Sequence, residues 1–159
     1  LTRIIPNENT FIGFAVTCAD LQAPKASEVA GSVDLTGYCL SINASTTGNT
    51  VPTPALDSLF ETSIAGTVQG SFTADFYRDD EDDLAWETLP RKTKGYMFIS
   101  RFGGSSPNGT MPISGDDIEV WPILVVSRTM AANGSNTVMT FTVTASIPEE
   151  PVEDGVVGT

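Results

Sequence analysis

Residues 67–76, TVQGSFTADF, alternate without a break. Val68, Gly70, Phe72, Ala74 and Phe76 fall on one side, and Thr67, Gln69, Ser71, Thr73 and Asp75 on the other. A period of two is the signature of a half-buried strand. Residues 137–147 repeat it, with Met139, Phe141, Val143, Ala145 and Ile147 set against Thr140, Thr142, Thr144 and Ser146. Such strands can cover a core with one face only. The opposite face, made of small hydroxyl and amide side chains, must meet water.

The first of these strands runs into an acidic run, Asp79, Asp80, Glu81, Asp82 and Asp83, followed by Leu84, Ala85, Trp86 and Leu89. Carboxylates oppose the positive end of a helix dipole, so a short helix is expected from Asp79 to a stop at Pro90, with Ala85, Trp86 and Leu89 on its sheet-facing side. Arg91, Lys92 and Lys94 form a basic turn, and Gly95 opens a further strand over 96–102. Other strands are expected over 11–17, 33–42 and 118–128. Pro122 points to an edge or a bulge in the last of these, and Asn133-Gly134 to a hairpin after it. Residues 19–32 read as a loop or a single turn, and the glycine-rich 103–115 as a flexible loop.

Three segments show no core periodicity. Residues 43–58, NASTTGNTVPTPALDS, read as a long loop, since Pro52 and Pro54 exclude a central strand. Residues 1–10 and 148–159 read as terminal arms around a domain spanning 1–147. Removing the loop or the C-terminal arm should therefore leave the domain folded. The fold class is mainly β: an antiparallel sandwich or small barrel with one short helix packed on it, an extended loop and terminal arms.

Chemistry is sparse. The chain of 159 residues has no histidine, which removes the usual general base and the commonest metal ligand. A net charge of −12 argues against holding nucleic acid through phosphates. The acidic run fails the EF-hand spacing, because Leu84 and Pro90 fall where glycine and glutamate are needed. The glycines of FGGSSPNG do not follow a phosphate-loop pattern. No enzyme, cofactor or metal is expected. Cys18 and Cys39 are either two reduced, buried thiols, the favoured expectation, or one bond between neighbouring strands. No run reaches the roughly 18 apolar residues of a membrane span, and residues 1–10 lack the regions of a signal peptide, so no membrane partner is expected.

The run TADFYRDDEDDLAWETLPRKTKGYMFISR, the strand DIEVWPILVVSR and the ending EEPVEDGVVGT resemble the major tail proteins, or tail tube proteins, of long, flexible-tailed actinobacteriophages. The resemblance covers residues 71–159 best and the first seventy by layout only. It implies a structural virion protein, assembled in the host cytoplasm into the tail. Hexameric rings whose inner strands join into one barrel would stack into a tube for DNA. Tape measure, tail terminator and distal tail proteins would be further partners. On this resemblance Gln69, Ser71, Thr73, Asp75, Thr140, Thr142 and Thr144 are expected to face the lumen, where DNA passes without specific binding. The alternative is that these faces meet outside solvent. Asn43, Thr50, Pro52, Pro54, Pro151, Val152 and Val156 are the candidate contacts between rings. The competing reading is a secreted or cell-surface β-sandwich binding module or adhesin. A Cys18–Cys39 bond and occupied sequons at Asn43, Asn108 and Asn133 would favour it.

Overall fold

The computed structural model describes residues 10–102, 111–131 and 134–159. The candidate arm over 1–9, most of the glycine-rich loop, and the sequons at Asn108 and Asn133 lie outside the described residues. Eight strands form the body: β1 Phe11–Ala15, β2 Val33–Asp34, β3 Cys39–Pro52, β4 Ser63–Tyr77, β5 Lys94–Ser100, β6 Asp117–Ala131, β7 Thr140–Ser146 and β8 Val152–Val156. Two short helices, α1 Ala26–Ala30 and α2 Leu84–Thr88, accompany them. All pairings between named strands are antiparallel, in the order β2-β1-β5-β6-β7-β4-β3, and β8 also pairs with β6. The mainly antiparallel β class is therefore what the chain adopts.

Alternation decides which side of the sheet is dry. Ile12 and Phe14 of β1, Met97 and Ile99 of β5, Trp121 and Ile123 of β6, Phe141 and Val143 of β7, and Phe72 and Phe76 of β4 meet in one cluster. Ile42 and Ala44 of β3 pack on its margin. Side chains from six successive strands reach one cluster, so the sheet curls around it, and Ala85 and Leu89 bring α2 over the open side. A smaller core lies on the other face of β1, β5 and β6, where Phe11, Phe98, Ile118 and Val120 meet Val29 of α1 and Val157. This is why apolar residues stand on both faces of β6 from Ile118 to Ile123, whereas Val126 beyond them is exposed.

Several expectations change. Residues 43–52 are strand: β3 runs to Pro52, which pairs with Ser63. Only 53–62 connects β3 to β4. Its sequence hides the strand because most of β3 is exposed and edge-placed, so no apolar alternation is needed, threonine suits a pleated surface, and proline is tolerated at a strand end. Residues 33–42 are not one strand. A 3-10 turn over Thr36–Tyr38 divides them, with Leu35 fully buried and Leu40 exposed.

Helix α2 begins at Leu84, not Asp79. The acidic run forms a turn in which Asp79 Oδ1 accepts from the Glu81 and Asp82 amides at 2.9 and 3.1 Å. Those bonds hold the Asp79 carboxyl below its usual range. Residues 19–32 contain the helix α1, where Glu28 Oε2 accepts from the Lys25 amide at 3.0 Å.

Pro122 is not on a sheet-edge strand, since β6 is flanked on both sides. It pairs with Tyr96 on one side, and on the other it falls in the gap between Val120, paired with Val152, and Leu124, paired with Ser146. The missing amide hydrogen costs least there. Strand β7 starts at Thr140, leaving Met139 exposed. The segment 148–159 is no free arm. Strand β8 pairs with β6, and Val157 and Gly155 are buried. The alternation was hidden because only one apolar side chain there, Val157, enters a core.

Candidate functional site: a polar wall with two free edges

Beside the larger core, the outward side chains of β3, β4, β7 and β6 align in rows. One row is Ser41, Asp75, Thr142, Thr129, and the next is Asn43, Thr73, Thr144, Ser127. A third is Ser45, Ser71, Ser146, Leu124. The structure thus brings together Ser71, Thr73, Asp75, Thr142 and Thr144 on one wall, and adds Ser41, Asn43, Ser45, Ser127 and Thr129, which the sequence reading did not place there. A signal for β3 exists in Ile42 and Ala44, which flank Asn43 and pack on the core margin, but the alternation ends there and the rest of the strand is marked only by register. Thr140 sits at one rim with Tyr77, an aromatic ring that the sequence reading left out of this face. Gln69 pairs with Thr47 beyond the end of β7 and so lies outside the four-stranded part.

The wall satisfies itself internally. Asp75 accepts from Ser41 Oγ at 2.9 Å and from Thr142 Oγ1 at 2.5 Å, and the Ser45 and Ser71 hydroxyls lie 3.0 Å apart. Within these three rows Asp75 is the one charged residue. These three rows carry no cation to bind a phosphate.

Two strand edges bound this wall. On one side β3 carries no further strand among the described residues. On the other, the β5–β6 ladder stops at Lys94 and Leu124, and the Val125 backbone is taken by Lys92 and Thr93 at 2.9 Å each. Residues 126–131 of β6 then have no strand on that side among the described residues. Strand direction alternates across β6, β7, β4 and β3.

Below Ser45 and Ser71 the β3–β4 pair continues alone as a two-stranded ribbon exposed on both faces. Thr50 and Pro52 lie on this ribbon and Pro54 just past it, with Leu56, Leu59, Phe60, Ile64 and Val68 exposed nearby. Asn43 is in the wall, not on the ribbon. Between the ribbon and the end of β7 lies a groove lined by Thr46, Gln69 and residues 146–154, with Glu149, Glu150, Glu153 and Asp154 on its far side. A Cβ at Gly70 would come within 2.8 Å of Ile147, so the chain can approach β4 there only against glycine. Pro151 lines this groove, Val152 pairs with Val120 and Val156 with Asp117.

Behind the wall, Trp86 of α2 is fixed by two cations. The Arg78 and Arg128 guanidinium carbons lie 4.1 and 3.6 Å from its ring centroid, and Arg128 Nη1 donates to the Trp86 carbonyl at 2.7 Å. Arg78 also pairs with Asp83 at 2.6 Å. Burial, and then the neighbouring Arg78, lower the Arg128 pKa. Cys18 and Cys39 are unpaired and half-buried, and burial foremost pushes each thiol up to about 11.

The sequence model of a family described as phage tail tube protein matches residues 1–159. No curated protein matches the chain. Among solved structures, the tail of an empty gene transfer agent particle, determined with C6 symmetry, aligns with a TM-score of 0.62 at 12% identity over 96% of this chain and 100% of that one. The six-fold symmetrised baseplate of the anti-feeding prophage gives 0.60 at 12% identity over 98% and 99%. The virion of the native gene transfer agent gives 0.57 at 13% identity over 94% and 98%.

Proposed function

The chain belongs to the phage tail tube protein family, and from that premise we propose that the four-stranded polar wall is one copy's share of a closed tube wall. The protein is a structural component of the virion tail. The observation that carries the reading is the pair of free edges. With β3 of one copy laid against residues 126–131 of β6 in the next, strand direction keeps alternating and no edge is left in the ring. Six copies per ring fit the six-fold symmetry of the particles with the same fold.

The polar rows then face the lumen, because the other side of these strands is filled by Phe72, Phe76, Phe141 and Val143. Ser71, Thr73, Asp75, Thr140, Thr142 and Thr144 line a surface along which DNA slides without being held, and Gln69 lies beyond it on the ribbon. The ribbon, with Thr50, Pro52 and Pro54, reaches the adjacent ring. Pro151, Val152 and Val156 contribute to the same junction. Asn43, inside the wall, belongs to the lumen set instead. Tape measure, terminator and distal tail proteins are the partners at the tube ends, assembly takes place in the host cytoplasm, and the reading assigns no catalysis. An actinobacterial phage is the proposed source, on the motifs of residues 71–159.

Cysteine pairs test the edge. In a background with Cys18 and Cys39 changed to serine, Thr129→Cys is combined in turn with Ser41→Cys, Asn43→Cys and Ser45→Cys. Two strands separate β3 from β6 within a copy, so an oxidised bond can form only between copies. A covalent ladder ending at the ring number is expected for one of the three pairs. Tubes that form without any ladder would show that other edges close the ring, and a chain that stays monomeric with or without the other tail components would overturn the reading.

A further inference from the structure

The edges proposed above leave one quantity open: the register at which copies join. Rows of Ser, Thr and Asn repeat along both edges, and a strand polar on its exposed face specifies its register weakly. Something beside the ladder must set it.

Arg91, Lys92 and Lys94 stand exposed where the turn enters β5, and Lys92 adopts a left-handed φ of 71°. Glu149, Glu150, Glu153 and Asp154 stand exposed on the groove. Among the described residues the ion pairs are Arg78–Asp83 and Arg101–Glu119, and neither cluster takes part in them. Within one copy the clusters lie one strand apart across β6, with Lys94 and Ser146 both opposite Leu124. Burial, and then the nearby Glu149, raise the pKa of Tyr96 on β5, yet no ion pair joins the two clusters among the described residues. The turn lies where β5 meets Leu124 and Val125, and the groove where β7 ends and β8 begins.

Between copies the geometry changes. A neighbour's β3 running along β6 from Ala131 must leave the sheet at Val125, because Lys92 and Thr93 occupy that backbone. It leaves directly beside the basic turn. On the neighbour, the groove adjoins that same strand: Thr46 Oγ1 of β3 donates to Glu153 Oε1 at 3.5 Å. We infer that the basic turn of one copy seats against the acidic groove of the next, and that this charge contact fixes the register of the ring. The occupant of the groove is a second copy of this chain. The contact is heterologous, so it propagates head to tail around the ring, and opposite charges fix alignment as well as partner.

The inference rests on the edge pairing, and the test separates the two. One variant carries Arg91→Glu and Lys94→Glu, the other Glu149→Lys, Glu150→Lys and Glu153→Lys. All five positions are exposed, and an unchanged thermal midpoint checks that both variants fold. Each is assayed alone and mixed at equal ratio, by sedimentation velocity and negative-stain microscopy. Alone, each should need at least about tenfold more protein to assemble, since every interface sets like charges together. Mixed, they should assemble at the wild-type concentration, because every interface then joins an acidic turn to a basic groove, or the reverse, in strictly alternating rings. Variants that assemble alone as the wild type does would overturn the charge contact and leave edge pairing standing. So would variants blocked alone and not rescued on mixing. A wild-type chain that never assembles would overturn edge pairing itself.

Discussion

Val157 is the side chain by which the end of the chain closes the smaller core. It is 2% exposed and meets Phe11, Val29, Phe98, Ile118 and Val120, whereas Val156 is 43% exposed. The backbone is clamped on both sides, the Val157 amide on the Asp116 carbonyl and the Gly158 amide on that of Pro24, at 2.9 and 2.8 Å. Val157→Ala removes two buried methyl groups. At about 0.8 kcal/mol each plus a cavity contribution, the loss should be about 2 kcal/mol. For a chain of this size that lowers the thermal midpoint by about 4–8 °C. Val156→Ala should cost less than about 0.5 kcal/mol. Truncation after Pro151 removes the β8 ladder as well and should cost more than either. Urea unfolding of the monomer, followed by the fluorescence of Trp86 and Trp121, measures all three. Equal midpoints for the two alanine variants, or a truncation that leaves the midpoint unchanged, would refute the packing and return the segment to the role of a free arm.

Gly95→Ala should cost about 1–3 kcal/mol in the same assay, because its Cβ would lie 2.6 Å from the Ala15 carbonyl oxygen with the Phe14 ring closer still. Arg128→Ala should cost about 1–3 kcal/mol by leaving the Trp86 carbonyl without its donor and the ring with Arg78 alone of its two cations. With both thiols raised to about 11, alkylation of the folded protein at pH 8 should be slow and should accelerate on unfolding. A raised folded-state pKa favours the protonated form, so this contribution to stability is complete below the unfolded value near 9 and is lost as pH rises towards 11. Ser71→Lys with Thr142→Lys should leave tube assembly intact and give tubes a DNA affinity that falls steeply with salt. Unchanged DNA binding by assembled tubes would place these strands outside.

What the sequence made legible follows burial. Strands β4 and β7 show themselves because one face is dry and the other wet, and their alternation names both the core and the wall. The apolar run of β6 is legible as a strand, but its burial by two different cores is not, since no periodicity distinguishes one covering layer from another. The part of β3 beyond Ile42 reads as a loop for the opposite reason. Beyond Ala44 it buries almost nothing in the single copy, so selection on its side chains leaves polar residues and terminal prolines that look like a connection. Charge alone places the acidic run in a helix, yet the bonds from the Glu81 and Asp82 amides to Asp79 use it as the turn before one. Half of the wall was therefore visible, and the half on β3 and the end of β6 depended on register, which pairs residues distant in sequence.

The same free edges that suit a ring expose a separate copy to indiscriminate pairing. Three features narrow the outcome. The edges are unlike, one on the long polar β3 and the other on six residues of β6, so correct joining is head to tail and ends when the turn per copy closes. The irregularity between Cys39 and Ser41 puts an extra residue, Leu40, into β3, so two β3 strands cannot pair through that end without mismatch. A net charge of −12 sets copies against one another at every orientation. Because that repulsion decays within about 8 Å at physiological ionic strength, it weighs on any encounter that brings acidic surfaces together. It is offset locally only where the basic turn of one copy faces the groove of another. The composition that first argued against a phosphate-binding surface thus also disfavours sheet aggregation, and leaves the ring as the arrangement in which edges, direction and charge agree.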